Sequence, residues 1–244
     1  MNSAMPVDTR PVDTGIRKQA MILAAGRGER MRPLTDHTPK PLLTLAGKPL
    51  IVWHIEKLAA AGVTDIVVNT AWLGEQLQQQ LGNGEKWGVR IQWSPEPAGG
   101  LETAGGIMHA LPYFQDQPFI VVNGDIWSDF AYSRLLTKVT EMAAMPHILA
   151  HLVLVNNPIH HPQGDFTLRD TGVVDAPGLT FSGMSVLHPQ LFYGSEGGFL
   201  KLRPFLSAAM QRHAVTGEHH QGSWADIGTP ERLSELNAQL SSAD

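Results

Sequence analysis

Residues 24 to 42 read AAGRGERMRPLTDHTPKPL and gather the groups that could hold a polyanion: Gly26, Gly28, Arg27, Arg30, Arg32 and Lys40. Glycine reaches the positive φ values that turn successive backbone N–H groups towards one anion. Arg30 adds a planar two-pronged donor and Lys40 a point charge. Pro33, Pro39 and Pro41 stiffen the segment, and two of them flank Lys40, so its ammonium is delivered from a chain with little freedom. The apolar run Ala20 to Ala24 ahead of the loop reads as a strand, so strand and loop together suit a triphosphate. A Walker loop would need Gly-Lys-Ser/Thr where this chain has Gly-Glu-Arg-Met. A dinucleotide fingerprint would need a small residue where Met31 stands. The plain alternative is a solvated basic loop.

Two carboxylates stand at predicted strand ends. In PFIVVNGDIW, residues 118 to 127, a β-branched run brings Asn123, Gly124 and Asp125 to its carboxyl end, where a hard cation could take a carboxylate oxygen; a common turn is the alternative. In GSWADIGTP, residues 222 to 230, a short strand carries Asp226 and turns through Gly228 into a helix capped near Thr229, which could equally leave Asp226 a surface acid. A loop from Ser94 to Gly106 holds Gly105 and Gly106, whose bare backbone allows a ligand close, with Thr103 as the expected cap of a helix over 107–111. His160 and His161 adjoin in a loop and invite a metal reading, against which such pairs usually face water. His54 falls on an apolar helical stripe, which makes it a core histidine.

The elements that must position these groups alternate. Helical periodicity runs from Leu50 to Gly62, near 72–81, and over 130–145 and 199–212; strands are predicted at 65–70, 89–93, 148–155, 166–168, 172–175 and 179–187, the last broken by Gly183. That alternation implies an α/β, mostly parallel, doubly wound sheet with ligands outside the carboxyl ends of its strands. The 244 residues suit one domain, expected over 18–241, behind an N-terminal extension, 1–17, expected to be disordered. A formal charge of −5 argues against nucleic acid as partner, and no stretch approaches the ~18 apolar residues of a membrane span. Without cysteine there is no disulfide, thiolate metal site or thiol catalysis. A cytoplasmic protein is expected, its oligomeric state open, a monomer included.

LAAGRGERMRPLTDHTPKPL resembles the signature of the sugar-1-phosphate nucleotidyltransferases at every motif position and in the spacing to Lys40. The resemblance implies the Rossmann-like nucleotide-diphospho-sugar transferase fold with a mixed sheet. It implies nucleotide contacts from Ala24, Gly26, Gly28, Glu29, Arg30, Lys40, Glu102, Gly105 and Asn123, and sugar-phosphate contacts from Asn123 and Asp165. Asp125 and Asp226 become ligands of a magnesium ion, and with Arg30 and Lys40 they form the catalytic set. LETAGG, VNGDIWSDF, LVLVNNPIHHPQGDF and GEHHQGSWADIGT are similar to the branch of the family that uses UTP and N-acetylmuramic acid 1-phosphate in cell-wall recycling. The segment before Lys18 and the stretch 137–147 depart from that branch but carry no motif. A muramate pocket must meet a lactyl carboxylate, for which His160, His161 and Arg203 are the candidates. The rival readings are a guanylyltransferase for mannose 1-phosphate, or another hexose-1-phosphate enzyme, and a non-catalytic nucleotide sensor. A sensor would be expected to have lost Arg30, Lys40 or a metal aspartate, and all are present.

Overall fold

The computed structural model describes residues 15–241, so most of the expected N-terminal extension lies outside the described residues. The chain runs β1 (Gln19–Leu23), a short hairpin of β2 (Thr44–Leu45) and β3 (Lys48–Pro49), α1 (Leu50–Ala61), β4 (Asp65–Thr70), α2 (Gly74–Leu81), β5 (Arg90–Pro95) and α3 (Glu102–Ala110). It continues through β6 (Phe119–Asn123), β7 (Ile126–Ser128), α4 (Ser133–Ala143), β8 (Ala150–Val155), β9 (Phe166–Arg169) and β10 (Gly172–Leu187). α5 (Arg203–Met210), β11 (Val215–His220), β12 (Trp224–Asp226) and α6 (Pro230–Ser241) complete it.

The main sheet has the order β11-β8-β10-β6-β1-β4-β5, with β9 hydrogen-bonded to β10. β6, β1, β4 and β5 are parallel, whereas β10 runs antiparallel to both β6 and β8. The result is the mixed, mostly parallel sheet that the alternation implies, with β1 between strands that follow it in opposite directions. That switch point opens a crevice at the carboxyl ends.

Both faces of the parallel part are covered, which is why its strands are almost wholly apolar. Ala20, Ile22, Ile66, Val68, Ile120 and Val122 meet Ile51, Ile55 and Leu58 of α1 and Leu135 and Val139 of α4. Met21, Val67 and Val121 face α3 and α5 through Ile107, Ala110, Leu206 and Ala209. A third cluster joins Met31, Leu43, Leu45 and Leu50 to Ile227, Leu233 and Leu236, so α6 clamps the loop after β1. Met31, too large for a dinucleotide fold, is the residue that makes this anchor.

Four expectations change. The strands at 172–175 and 179–187 are one, β10, whose register with β8 shifts between Phe181 and Ser185 around Gly183. Gly183 has φ 82°, and a Cβ there would lie 2.7 Å from Asn123 Nδ2, so this bend makes room for Asn123. α3 starts at Glu102, which takes a left-handed φ of 61°, so Thr103 lies inside the helix and is not its cap. α2, α4 and α5 are shorter than their periodic patterns. β11, VTGEHH, pairs parallel with β8 at the sheet edge and escapes sequence reading because it has no apolar alternation.

His54 is a core residue, 1% exposed, with Nδ1 2.8 Å from the Tyr132 hydroxyl. Burial, more than the charge on Lys57, pushes its pKa from 6.5 to about 4. Between those values the unfolded chain takes up a proton that the folded chain refuses. Stability should therefore fall as pH drops through that window, by up to about 1.4 kcal/mol per pH unit. Urea unfolding across the window should show a flatter slope for His54→Gln than for the native protein; equal slopes would contradict the assignment.

Candidate active site

After β1 the chain turns through Gly28, whose φ is 68° and whose carbonyl accepts from Met31 N–H at 2.9 Å and Thr35 Oγ1 at 2.9 Å. A Cβ on Gly28 would stand 3.0 Å from Thr35 Cγ2 and 3.2 Å from Lys40 Cβ, so glycine is needed for space as well as for φ. The loop's arginines divide. Arg27 lies 4.0 Å over the Trp72 ring and donates to Thr35 O at 2.8 Å and Asp36 Oδ1 at 3.1 Å. Arg32 Nε also reaches Asp36 Oδ1, at 2.8 Å. The Arg27 hydrogen bond, foremost among these contacts, holds the Asp36 carboxyl below its ordinary range. The Arg30 guanidinium has no ion pair or hydrogen bond among the described residues, which leaves it available for an incoming anion.

A cavity of about 380 Å³ opens at the carboxyl ends of β1, β4, β5 and β6. Ala24, Gly26, Lys40, Glu102, Asn123 and Asp125, six of the residues expected from sequence, line it. Gly28, Glu29 and Arg30 follow on the adjoining turn. Arg30 Nη2 would lie 3.4 Å from a Cβ at Gly228, a position also 3.2 Å from Asp226 Oδ2, so the loop's free cation and the C-terminal aspartate share one small volume. Gly105 is buried under the Gly198 carbonyl and lies beneath the lip, not on the cavity wall.

The two aspartates are brought together by backbone pairing. β12 runs antiparallel to β7 with Asp226 opposite Ile126, and Ile227 N–H donates to Asp125 O at 2.8 Å. Each carboxylate already attracts cations. Lys40, 7% exposed, places Nζ 2.6 Å from Asp125 Oδ2. Asp226 accepts from Arg232 through Oδ2 and has His160 Nε2 3.0 Å from Oδ1. Asp125 and Asp226 are partly exposed carboxylates on paired segments, and carboxylate oxygen is the donor a hard divalent ion takes when phosphate oxygens and water complete its shell.

Asp165 stands in a separate cluster. Its Oδ2 accepts from Phe181 N–H at 2.9 Å, and Oδ1 lies 3.1 Å from His161 Nε2 and 3.8 Å from Arg203 Nη1. Arg203 also donates to Asp175 at 2.7 Å and sits 5.1 Å over the Phe166 ring. His160 and His161 thus diverge, one to Asp226 and one to Asp165. Sequence reasoning missed Asn69, Glu96, Arg232 and Phe199. Phe199 is 67% exposed on the cavity wall. Asn69 could have been found as the polar residue at the carboxyl end of an apolar strand; nothing local marked the other three.

A family model described as nucleotidyl transferase matches residues 19–161. The N-acetylmuramate alpha-1-phosphate uridylyltransferase of Neisseria meningitidis is 53% identical over 226 residues, covering 90% of this chain and 97% of that protein. A mannose-1-phosphate guanyltransferase of Hypocrea jecorina is 31% identical over 233 residues, covering 87% of this chain and 61% of that protein. A Bacillus anthracis structure assigned as a glucose-1-phosphate thymidylyltransferase, solved with sucrose, superposes with a TM-score of 0.80 at 20% identity, over 91% of this chain and 94% of that one, and so shares the fold. With a family model spanning more than half of its length and a 53%-identical relative covering 90% of it, the chain belongs to the nucleotidyl transferase family.

Proposed function

We propose that this enzyme transfers uridylyl from UTP to N-acetylmuramic acid α-1-phosphate, giving UDP-N-acetylmuramic acid and pyrophosphate, with magnesium as its divalent ion. One juxtaposition carries the reaction type: Lys40 and Asp125 meet on the cavity wall, and the bond from Ile227 N–H to Asp125 O ties that wall to the segment where Asp226 and Arg30 approach each other. The choice of substrates rests on the Neisseria meningitidis relative, which is similar over nearly its whole length, whereas the Hypocrea jecorina relative is more distant and extends well beyond this chain. The reading includes a place in peptidoglycan recycling and a cytoplasmic location; among the described residues no helix is long and apolar enough to cross a membrane.

In the reaction, a phosphate oxygen of the sugar 1-phosphate attacks the α-phosphorus in line, and the bond from that phosphorus to the β-phosphate oxygen breaks. The nucleophile is already an anion, so no general base is required. Repulsion between two polyanions is the obstacle. Magnesium held by Asp125 and Asp226 would supply charge neutralisation and polarise the phosphoryl oxygens. Arg30 draws charge from the β- and γ-phosphates and stabilises the leaving pyrophosphate. Lys40 swings from Asp125 to the α-phosphate and the sugar phosphate. The N–H groups near Gly26, Gly28 and Glu29 cradle the triphosphate, and Ala24, Glu102 and the backbone above Gly105 hold the nucleoside. Asn123 and Asp165 take the sugar.

Pyrophosphate release should be strong with UTP and N-acetylmuramate 1-phosphate and weak with GTP or dTTP and with glucose, mannose or N-acetylglucosamine 1-phosphates. Release with GTP and mannose 1-phosphate would overturn the substrates, and silence in every pair would overturn the reaction. Arg30→Ala, Lys40→Ala, Asp125→Asn and Asp226→Asn should each lower turnover about 10²-fold or more. Near-native turnover in any of them would remove that residue from the mechanism.

The lactyl carboxylate of muramate needs hydrogen-bond donors or a cation. His161 and Arg203, gathered at Asp165, and His160 at Asp226 are the candidate groups. Arg203→Ala, His161→Ala and His160→Ala should each reduce the preference for muramate over N-acetylglucosamine 1-phosphate, measured as a ratio of kcat/KM. Full selectivity in all three would place the lactyl contact elsewhere.

A further inference from the structure

Two polar side chains with no part in the transfer step form a line of hydrogen bonds across the carboxyl ends of β1, β4 and β5. Asn69, 3% exposed, accepts from Ala24 N–H through Oδ1 at 2.7 Å and donates from Nδ2 to Glu96 Oε1 at 2.6 Å. The other oxygen of Glu96 accepts from Leu101 N–H at 2.8 Å. Glu96 itself is fixed by its own N–H, which donates to Thr70 O at 2.7 Å. α3 makes room for the line with a glycine, since a Cβ at Gly106 would overlap Glu96 Oε1 and stand 2.9 Å from Asn69 Nδ2. Ala24, Asn69, Glu96 and Leu101 all line the cavity. One end is the start of the phosphate-binding loop; the other immediately precedes Glu102, the residue held at positive φ.

The donor and acceptor order permits no substitute at either middle position alone. The Ala24 N–H requires an acceptor, which turns the Asn69 amide nitrogen towards Glu96. Glu96 must then accept through both of its oxygens, which a carboxylate does and a carboxamide does not. We propose that Asn69 and Glu96 are positioning residues that set the spacing between the phosphate loop and the Leu101–Glu102 lip, and through it the affinity for the nucleoside triphosphate. This rests on the reading that the cavity takes a nucleoside triphosphate.

The order also specifies its own rescue. Glu96→Gln turns an N–H against either Asn69 Nδ2 or Leu101 N–H, and Asn69→Asp sets two carboxylates face to face. The double variant Asn69→Asp/Glu96→Gln restores every bond. The carboxylate introduced at position 69 accepts from Ala24 N–H and from the amide introduced at position 96, and the carbonyl oxygen of that amide accepts from Leu101 N–H. Shape and net charge are those of the native pair.

The test is calorimetric titration of UTP with magnesium, without sugar phosphate, into the native protein and the three variants, alongside the KM for each substrate. Each single variant should bind UTP about tenfold or more weakly, as expected when a buried or half-buried donor or acceptor loses its partner. The sugar-phosphate KM should change less than about twofold, on the same arithmetic, and the double variant should regain native UTP affinity. Single variants that bind UTP like the native protein, or a double variant as weak as the singles, would overturn the proposal while leaving the nucleotide site standing. A native protein that binds no nucleoside triphosphate would instead overturn the site on which it rests. Should a single variant fail to fold, a double variant that folds and binds normally supports the line, and one that does not fold contradicts it.

Discussion

A lysine ammonium taken out of water beside a sheet needs a partner, and the Lys40–Asp125 pair at 2.6 Å is what closes the motif loop onto the end of β6. Loss of Asp125 would strand a buried ammonium, whereas Asp125 is partly exposed and stays in contact with water when Lys40 is gone, so the lysine is the member that depends on the pair. Pro39 and Pro41 restrict how the loop delivers Lys40, and Asn123-Gly124 bring the strand end to meet it. Gly124 lies so close to β1 that a Cβ there would be 2.7 Å from Leu23 O, so both halves of the pair are set by backbones already in contact.

The same economy of charge runs through the crevice. Arg27 and Arg32 are spent on Asp36, which stiffens the loop and leaves Arg30 as its free guanidinium among the described residues. Asp226 is held by Arg232 from the first turn of α6 and by His160 from the loop after β8. The C-terminal helix therefore does two things: it buries Leu233 and Leu236 against Met31, and through Arg232 it holds the carboxylate of Asp226. The motif loop and the segments that carry the two aspartates are fastened to each other by one apolar cluster and two short strands.

Much of this was legible because the chemistry is local in the chain. The glycines, arginines and flanked lysine of residues 24 to 42 raise the expectation of an anion site without knowledge of the fold. Asp125 and Asp226 were visible as acids at strand ends, although only the β7–β12 pairing makes them neighbours. What stayed hidden depends on distant partners. Asn69 and Glu96 are ordinary residues until 27 positions of separation are closed by one hydrogen bond. The start of α3 was hidden because Glu102 adopts a conformation that glycine favours, while Gly105 and Gly106, which read as loop, lie inside the helix for lack of space. β11 was hidden because it is an edge strand stabilised by parallel pairing and by groups such as the His151–Glu218 contact, with no apolar face of its own.

The central claim is that the basic loop and the two aspartates act on one nucleotide in one crevice. A crystal structure of the protein with a non-hydrolysable UTP analogue and manganese tests it most directly. The account predicts an anomalous peak held by Asp125 and Asp226, the triphosphate against Arg30 with Lys40 released from Asp125, and the uracil inside the cavity above Gly105. A metal bound away from either aspartate, or a triphosphate that leaves Arg30 in solvent and Lys40 on Asp125, would contradict it.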